Sequence, residues 1–90
     1  MIVNTNAISN INEGLSGNGV LYYFINDATG NPVQGEAGCL LNFVGLCVGV
    51  VGMDAQFVYY PLNPSRHSEL YFRFNANGWR DWYVINMTTV

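Results

Sequence analysis

Leu70-Tyr71-Phe72-Arg73-Phe74 runs into Asn75-Ala76-Asn77-Gly78 and comes back as Trp79-Arg80-Asp81-Trp82-Tyr83-Val84-Ile85. Leu70, Phe72 and Phe74 alternate with Tyr71 and Arg73, the period-two spacing of a strand with one face buried. Asn77-Gly78 is the strongest kind of short turn signal, because both residues tolerate the positive φ of a tight hairpin turn. The segment reads as an antiparallel hairpin over residues 70–85, with 70–74 paired to 79–85 and the Leu/Phe face turned inward. On an unbroken strand Trp79 and Trp82, three positions apart, point to opposite faces, so one is core and the other lies outside. Arg73 falls with Tyr71 on the solvent or interface face, where it is expected to pair with a carboxylate or stack on an aromatic ring.

Working outward, Val20-Leu21-Tyr22-Tyr23-Phe24-Ile25 is β-branched, aromatic and aliphatic, and turn residues bound it at Gly17-Asn18-Gly19 and at Asn26-Asp27-Ala28-Thr29-Gly30. It reads as a strand. Pro32, Gly35 and Gly38 mark residues 31–38 as a loop. The stretch from Gly38 to Met53 is almost wholly apolar but only 16 residues long, short of the ~20 that span a bilayer. It also carries Asn42, four glycines and four valines. Two core strands, about 39–46 and 47–51, fit it better than a membrane helix. Ala55-Gln56-Phe57-Val58-Tyr59-Tyr60 is a further strand, ended by Pro61 and the loop from Asn63 to Ser68. The one stretch with helical spacing is 7–15, a short helix that Ser9 or Asn10 would cap. The expected fold is mainly β, or α+β with that helix: one small domain over residues 1–90, built on an antiparallel sheet.

Composition narrows the function. Half of the 90 residues are hydrophobic and only 10% are charged, against ~25% charged in an ordinary domain. A chain this short cannot hide so much apolar surface within itself, so some should reach the outside and meet a partner. Arg66, Arg73 and Arg80 are the only cations apart from His67, and the net charge is −3. Nucleic acid and anionic membrane surfaces are poor partners for such a chain. Cys39 and Cys47 match neither a redox nor a zinc spacing, and read as two buried thiols, with a disulfide as the alternative. No basic, apolar N-terminal segment of the signal-peptide kind is present.

Catalysis has little to stand on. His67 sits in a Pro/Ser loop, and Glu13, Asp27, Glu36, Asp54, Glu69 and Asp81 are scattered. No nucleophile–base or metal-ligand spacing emerges, so the expectation is a non-enzyme with no cofactor and no metal. Tyr71, Arg73, Trp79 and Trp82 are the candidate contact residues, either with a saccharide or within an interface. A flat indole can cover the apolar face of a sugar while Arg and Asn donate hydrogen bonds.

From Asn10 to Ile85 the chain resembles the knob domain of R-type pyocin fibres and of many phage tail fibres and tailspikes. Leu70-Tyr71-Phe72-Arg73 stands where that family has an aliphatic–Tyr–x–Arg strand. Asn77-Gly78-Trp79-Arg80-Asp81-Trp82 is similar to its Gly–x–Trp–x–x–Trp return, one residue shorter between Gly78 and Trp79. Gly19-Val20-Leu21-Tyr22-Tyr23 resembles a Gly–aliphatic–Tyr strand, and Asn31-Pro32 with Gly38-Cys39-Leu40-Leu41 its glycine-rich loop and following strand. Residues 44–52 depart from the family in being more hydrophobic. The resemblance implies a homotrimeric module of a virion fibre, made in the host cytoplasm, joined to adjoining fibre segments and serving host attachment. It also implies a second role, binding of bacterial surface polysaccharide at the fibre tip.

Overall fold

The structure, a computed structural model, describes residues 2–12, 19–48 and 51–90, and of residues 2–7, 19–24, 27, 46–48, 51 and 52 the backbone alone. Six strands are present: β1 (Ile2–Asn10), β2 (Gly19–Thr29), β3 (Gly38–Val48), β4 (Val51–Tyr59), β5 (Glu69–Asn75) and β6 (Tyr83–Asn86). They form one sheet in sequence order, β1 to β6. From β2 to β6 every neighbouring pair is antiparallel, while β1 and β2 are parallel. The protein is mainly β, with a single 3-10 turn, Pro64–Arg66, as the helical element among the described residues.

Four local expectations change. The helix over 7–15 does not form where it is described: residues 7–10 belong to β1, and Ala7 and Ile8 pair with Phe24 and Ile25. Its remainder from Glu13, like Gly17-Asn18 before β2, lies outside the described residues. The sheet is mixed rather than purely antiparallel, because β1 adds alongside β2 in the same direction. β2 does not turn at Asn26 but continues to Thr29, since Thr29 pairs with Asn10 after the ladder to β3 has ended at Ile25 and Gly38. A strand partner distant in sequence overrides the local turn residues there. Finally, the apolar run holds no break between Leu46 and Cys47. β3 continues to Val48, and the expected strands at 47–51 and 55–60 give way to a single β4. Asp54 is accommodated mid-strand because its carboxylate accepts the Gly45 N–H at 2.9 Å.

The hairpin forms as read, with a defect that decides the site. Leu70, Tyr71 and Phe72 pair with Ile85, Val84 and Tyr83, whereas Asn75 bridges to Trp79. Between those anchors Arg73 and Phe74 face three residues, Arg80, Asp81 and Trp82, so the returning strand carries one extra residue. The bulge is held by the Arg80 N–H on the Phe74 carbonyl at 2.9 Å. An extra residue reverses the in/out alternation beyond it.

The core lies on one face of the sheet. Ile11, Ile25, Ala28, Leu40, Val58 and Tyr60 form a buried cluster, with Ile8, Val33, Tyr71 and Trp82 against it. Its lid is irregular chain: the Ile11-Asn12 segment, the loop after β2 and the bulged arm. Asn12 packs so closely on Gly30 that a Cβ there would meet its side-chain oxygen at 2.4 Å. The turn depends on Gly78, whose φ is 114°. No atom lies within 4 Å of a Cβ built there, so backbone strain alone should govern a substitution. Gly78→Val is expected to lower stability by about 1–3 kcal/mol, read as a shift of the urea midpoint at unchanged slope.

Candidate functional site

Arg73 projects from β5 onto the core face, not outward, and is only 5% exposed. Its row across the sheet is polar: Asn42 on β3 pairs with Gln56 on β4, which pairs with Arg73. Gln56 uses its amide nitrogen on Asn42 Oδ1 at 3.0 Å and on the Ile11 carbonyl at 2.8 Å. Its amide oxygen accepts from Arg73 Nε at 2.9 Å. Arg73 Nη2 donates to Asn12 Oδ1 at 2.8 Å and to the Ile11 carbonyl at 3.3 Å. The guanidinium carbon then lies 4.4 Å from the ring centre of Trp79 and 4.4 Å from that of Trp82.

This overturns the expectation that the two tryptophans occupy opposite faces. The bulge shifts the alternation by one residue, so both indoles reach the Arg73 side and enclose its charge. Each ring is anchored in turn, Trp79 Nε1 on the Asn12 carbonyl and Trp82 Nε1 on the Gly30 carbonyl, both at 2.9 Å. Stacking on aromatic rings, one of the two roles expected of Arg73, is what it does, but on the buried face. Its hydrogen-bond partners are amides and carbonyls. Burial depresses its pKa to about 10, which leaves it charged at neutral pH. The π faces and carbonyl dipoles supply the compensating potential. Three of the four candidate contact residues are therefore brought together as an internal tie.

Tyr71, the fourth, joins a second cluster. Its hydroxyl donates to Glu69 at 2.9 Å and accepts from Arg66 at 3.3 Å, and its ring meets Tyr60 edge-on. Arg66 bridges Glu36 and Glu69 at 3.3 and 2.9 Å, tying the loop after β2 to the turn before β5. Glu69 is held below the usual carboxylate range by the Tyr71 hydroxyl first and the Arg66 guanidinium second. Tyr60, buried beneath them, donates to Asn31 and accepts from the Val33 N–H at 3.1 Å. Burial is the main force raising its pKa.

The surface that sequence reading missed is the opposite face of the sheet. Leu41, Phe57, Phe72 and Tyr83 form one row across β3 to β6. Phe43 and Phe74 flank it on one side, Cys39, Tyr59 and Leu70 on the other. The rings are in sequential contact: Phe43 edge-on to Phe57 at 5.6 Å, Phe57 stacked with Phe72 at 6.1 Å, and Phe72 stacked with Tyr83 at 5.5 Å. Except for Tyr83, which is 59% exposed, these side chains are half-buried, with no layer of secondary structure over them among the described residues. Leu70, Phe72 and Phe74 were expected to face the core and do not. Cys39, expected buried, is half-buried on this same face. The side chain of Cys47 lies outside the described residues. A signal did exist: in β3 both alternation phases are apolar apart from Asn42, as in a sheet covered on both sides.

Two open depressions indent this face. One, of about 600 Å³, is lined by Phe72, Phe74, Tyr83 and the charged pair Arg80 and Asp81. The other, of about 370 Å³, is lined by Cys39, Leu41, Phe57, Tyr59, Pro61 and Leu70. His67 is exposed, stacked on Tyr59, with a ring nitrogen 2.6 Å from the Pro61 carbonyl. Among the described residues no three His, Cys, Asp or Glu side chains are grouped to hold a metal ion, and no helix is long and apolar enough to cross a membrane. No protein-family model, curated protein or solved structure matches the chain.

Two expectations test these clusters. Arg73→Lys keeps the charge but loses the planar fork and the double stack. It should cost about 2 kcal/mol by urea denaturation, with a change in tryptophan fluorescence. Tyr60→Phe should be less stable than the parent at pH 8, because the buried hydroxyl's two hydrogen bonds are lost. Above pH 10 the unfolded parent ionises Tyr60 while the folded parent holds its proton, so the parent loses stability as pH rises. The gap between the two proteins should therefore narrow from pH 10 to 11.

Proposed function

We propose that this domain is a self-associating module of a phage tail fibre or tailspike, a homotrimer that builds the fibre and serves host attachment rather than catalysis. The observation that carries the self-association is the aromatic face of β3 to β6, which lies opposite the core and has no covering layer among the described residues. Its centre is apolar and its described charges, Arg80 and Asp81, sit at the rim, the usual distribution of an association surface. The short chain and low charge point the same way. The fibre setting and the number three come from the resemblance to knob domains across residues 10–85.

A second reading, binding of a surface saccharide at the fibre tip, has one supporting observation. The depression lined by Phe72, Phe74 and Tyr83 pairs aromatic surface with Arg80 and Asp81 as hydrogen-bonding groups. Trp79 and Trp82 are less suited, since each gives a ring face to Arg73.

Light scattering at rising concentration tests the first reading. The expected mass is about three times the 10.0 kDa of one chain. Introducing Phe57→Lys and Phe72→Glu together should reduce it to that of a single chain while the near-ultraviolet spectrum of the Arg73–tryptophan cluster persists. A wild-type domain that is monomeric at high concentration, together with glycan-array binding lost in Tyr83→Ala, would favour the saccharide reading instead.

A further inference from the structure

The sheet has two outer edges, β1 and β6, and among the described residues neither pairs with a further strand. Exposed edges are ordinarily protected by charged side chains, proline or a cover. Neither edge here has a charge or a proline: β1 reads Ile-Val-Asn-Thr-Asn-Ala-Ile-Ser-Asn and β6 reads Tyr-Val-Ile-Asn. All four β6 residues are exposed, with Tyr83, Val84 and Ile85 at 59%, 47% and 46%. β6 is thus apolar on both of its faces, with one row of backbone donors and acceptors turned outward. The aromatic row from Leu41 through Phe57 and Phe72 reaches this edge at Tyr83.

We infer that β6 of one copy pairs with β1 of the next, so that the sheets join edge to edge around the assembly axis. This rests on the self-association reading above and specifies how the copies meet. Pairing of β6 with a second β6 would be a two-fold contact and would leave every β1 edge open. Pairing of β6 with β1 uses two different edges, repeats as one contact and closes by rotation, leaving no edge exposed. The strand directions agree with this. β1 runs with β2, and the four antiparallel steps from β2 to β6 restore the same direction. A rotation axis along the strands therefore brings β6 beside a neighbouring β1 in parallel. The levels agree too, since the row containing Tyr83 and Phe72 continues through Leu41 and Tyr22 to Val3. Continuing the sheet in this way also extends the aromatic face across the junction, so edge and face act together.

The test uses the whole 90-residue chain. Successive N–H groups of a strand point to opposite sides, so one of Val84 and Ile85 donates outward and the other towards β5. Val84→Pro and Ile85→Pro are made separately, and proline removes one donor in each. The outward-donating position should give a folded protein, by circular dichroism, whose scattering mass falls about threefold to a single chain. If each proline variant that stays folded keeps the wild-type mass, the edge pairing is wrong. Should neither variant fold, cross-linking decides, in a Cys39→Ala, Cys47→Ala background where Ser9→Cys and Asn86→Cys are exposed sites at the matching ends of β1 and β6. Oxidation should give covalent species larger than a dimer only when both cysteines are present. A covalent dimer from Asn86→Cys alone means β6 pairs with itself and overturns the inference. An oligomer that fails to cross-link overturns the edge pairing but leaves self-association standing, whereas a monomeric wild-type mass removes both.

Discussion

A guanidinium carried into a protein interior needs its charge balanced in place, because solvent no longer does so. Arg73 meets that requirement with Gln56, Asn12, the Ile11 backbone carbonyl and the faces of two indoles. None of these partners could serve unless the backbone brought it there. The bulge in the β5–β6 hairpin delivers Trp79 and Trp82 to the same side. The segment after β1 crosses the sheet so that the Ile11 carbonyl reaches Gln56 and Arg73 together. The placement of the N-terminal segment, the bulged arm and the loop after β2 all follow from enclosing one cation. Replacing its polar partners singly would leave the charge underserved, so the cluster behaves as a unit.

With Arg73 and its polar row inside, the sheet's two faces take on unexpected roles. The core face holds a hydrogen-bonded stripe, Asn42 to Gln56 to Arg73, beside its aliphatic cluster. The other face holds the aromatic rings. A monomer stable on its own would ordinarily put these the other way round. Here the polar stripe favours one register of β3, β4 and β5, since Gln56 must meet Asn42 on one side and Arg73 on the other. The aromatic rings lie on the face that has no covering layer among the described residues. On the proposed reading, register and association fall to different sides of one layer.

The sequence made much of this layout legible, for reasons that can be named. Strands β2, β3, β5 and β6 and the second half of β4 are found because branched, aromatic and alternating residues lie between Gly, Asn and Pro punctuation. The 70–85 hairpin is found because Asn77-Gly78 and the alternation agree. The parallel pairing of β1 is not legible: a parallel neighbour is joined by no tight turn, and residues 7–15 carry helical spacing as well. The side taken by each tryptophan is lost because one inserted residue reverses every position beyond it, and a bulge leaves no composition signal. The inward face of β5 was misread for a related reason. Alternation reports that two faces differ, not which is buried, and Phe72 against Arg73 suggests the usual answer. Only the doubly apolar character of β3 argued against it. Of the candidate site, Arg73 with its aromatic stack was legible as a pairing, and the aromatic face was not.

The ties between Asn12 and the hairpin span nearly the whole chain, with 67 residues separating it from Trp79 and 61 from Arg73. Loops of that size are closed late and slowly, since ordering the intervening chain must precede the reward. During synthesis the β1 segment emerges well before Arg73 and its two tryptophans. Until then Ile11 and Asn12 lack the Arg73 and Trp79 contacts that complete their anchoring. Closure of the domain is therefore timed by the arrival of residues 79–82. A nascent chain stalled before Trp79 would hold most of the sheet's sequence and still lack the means to shut it.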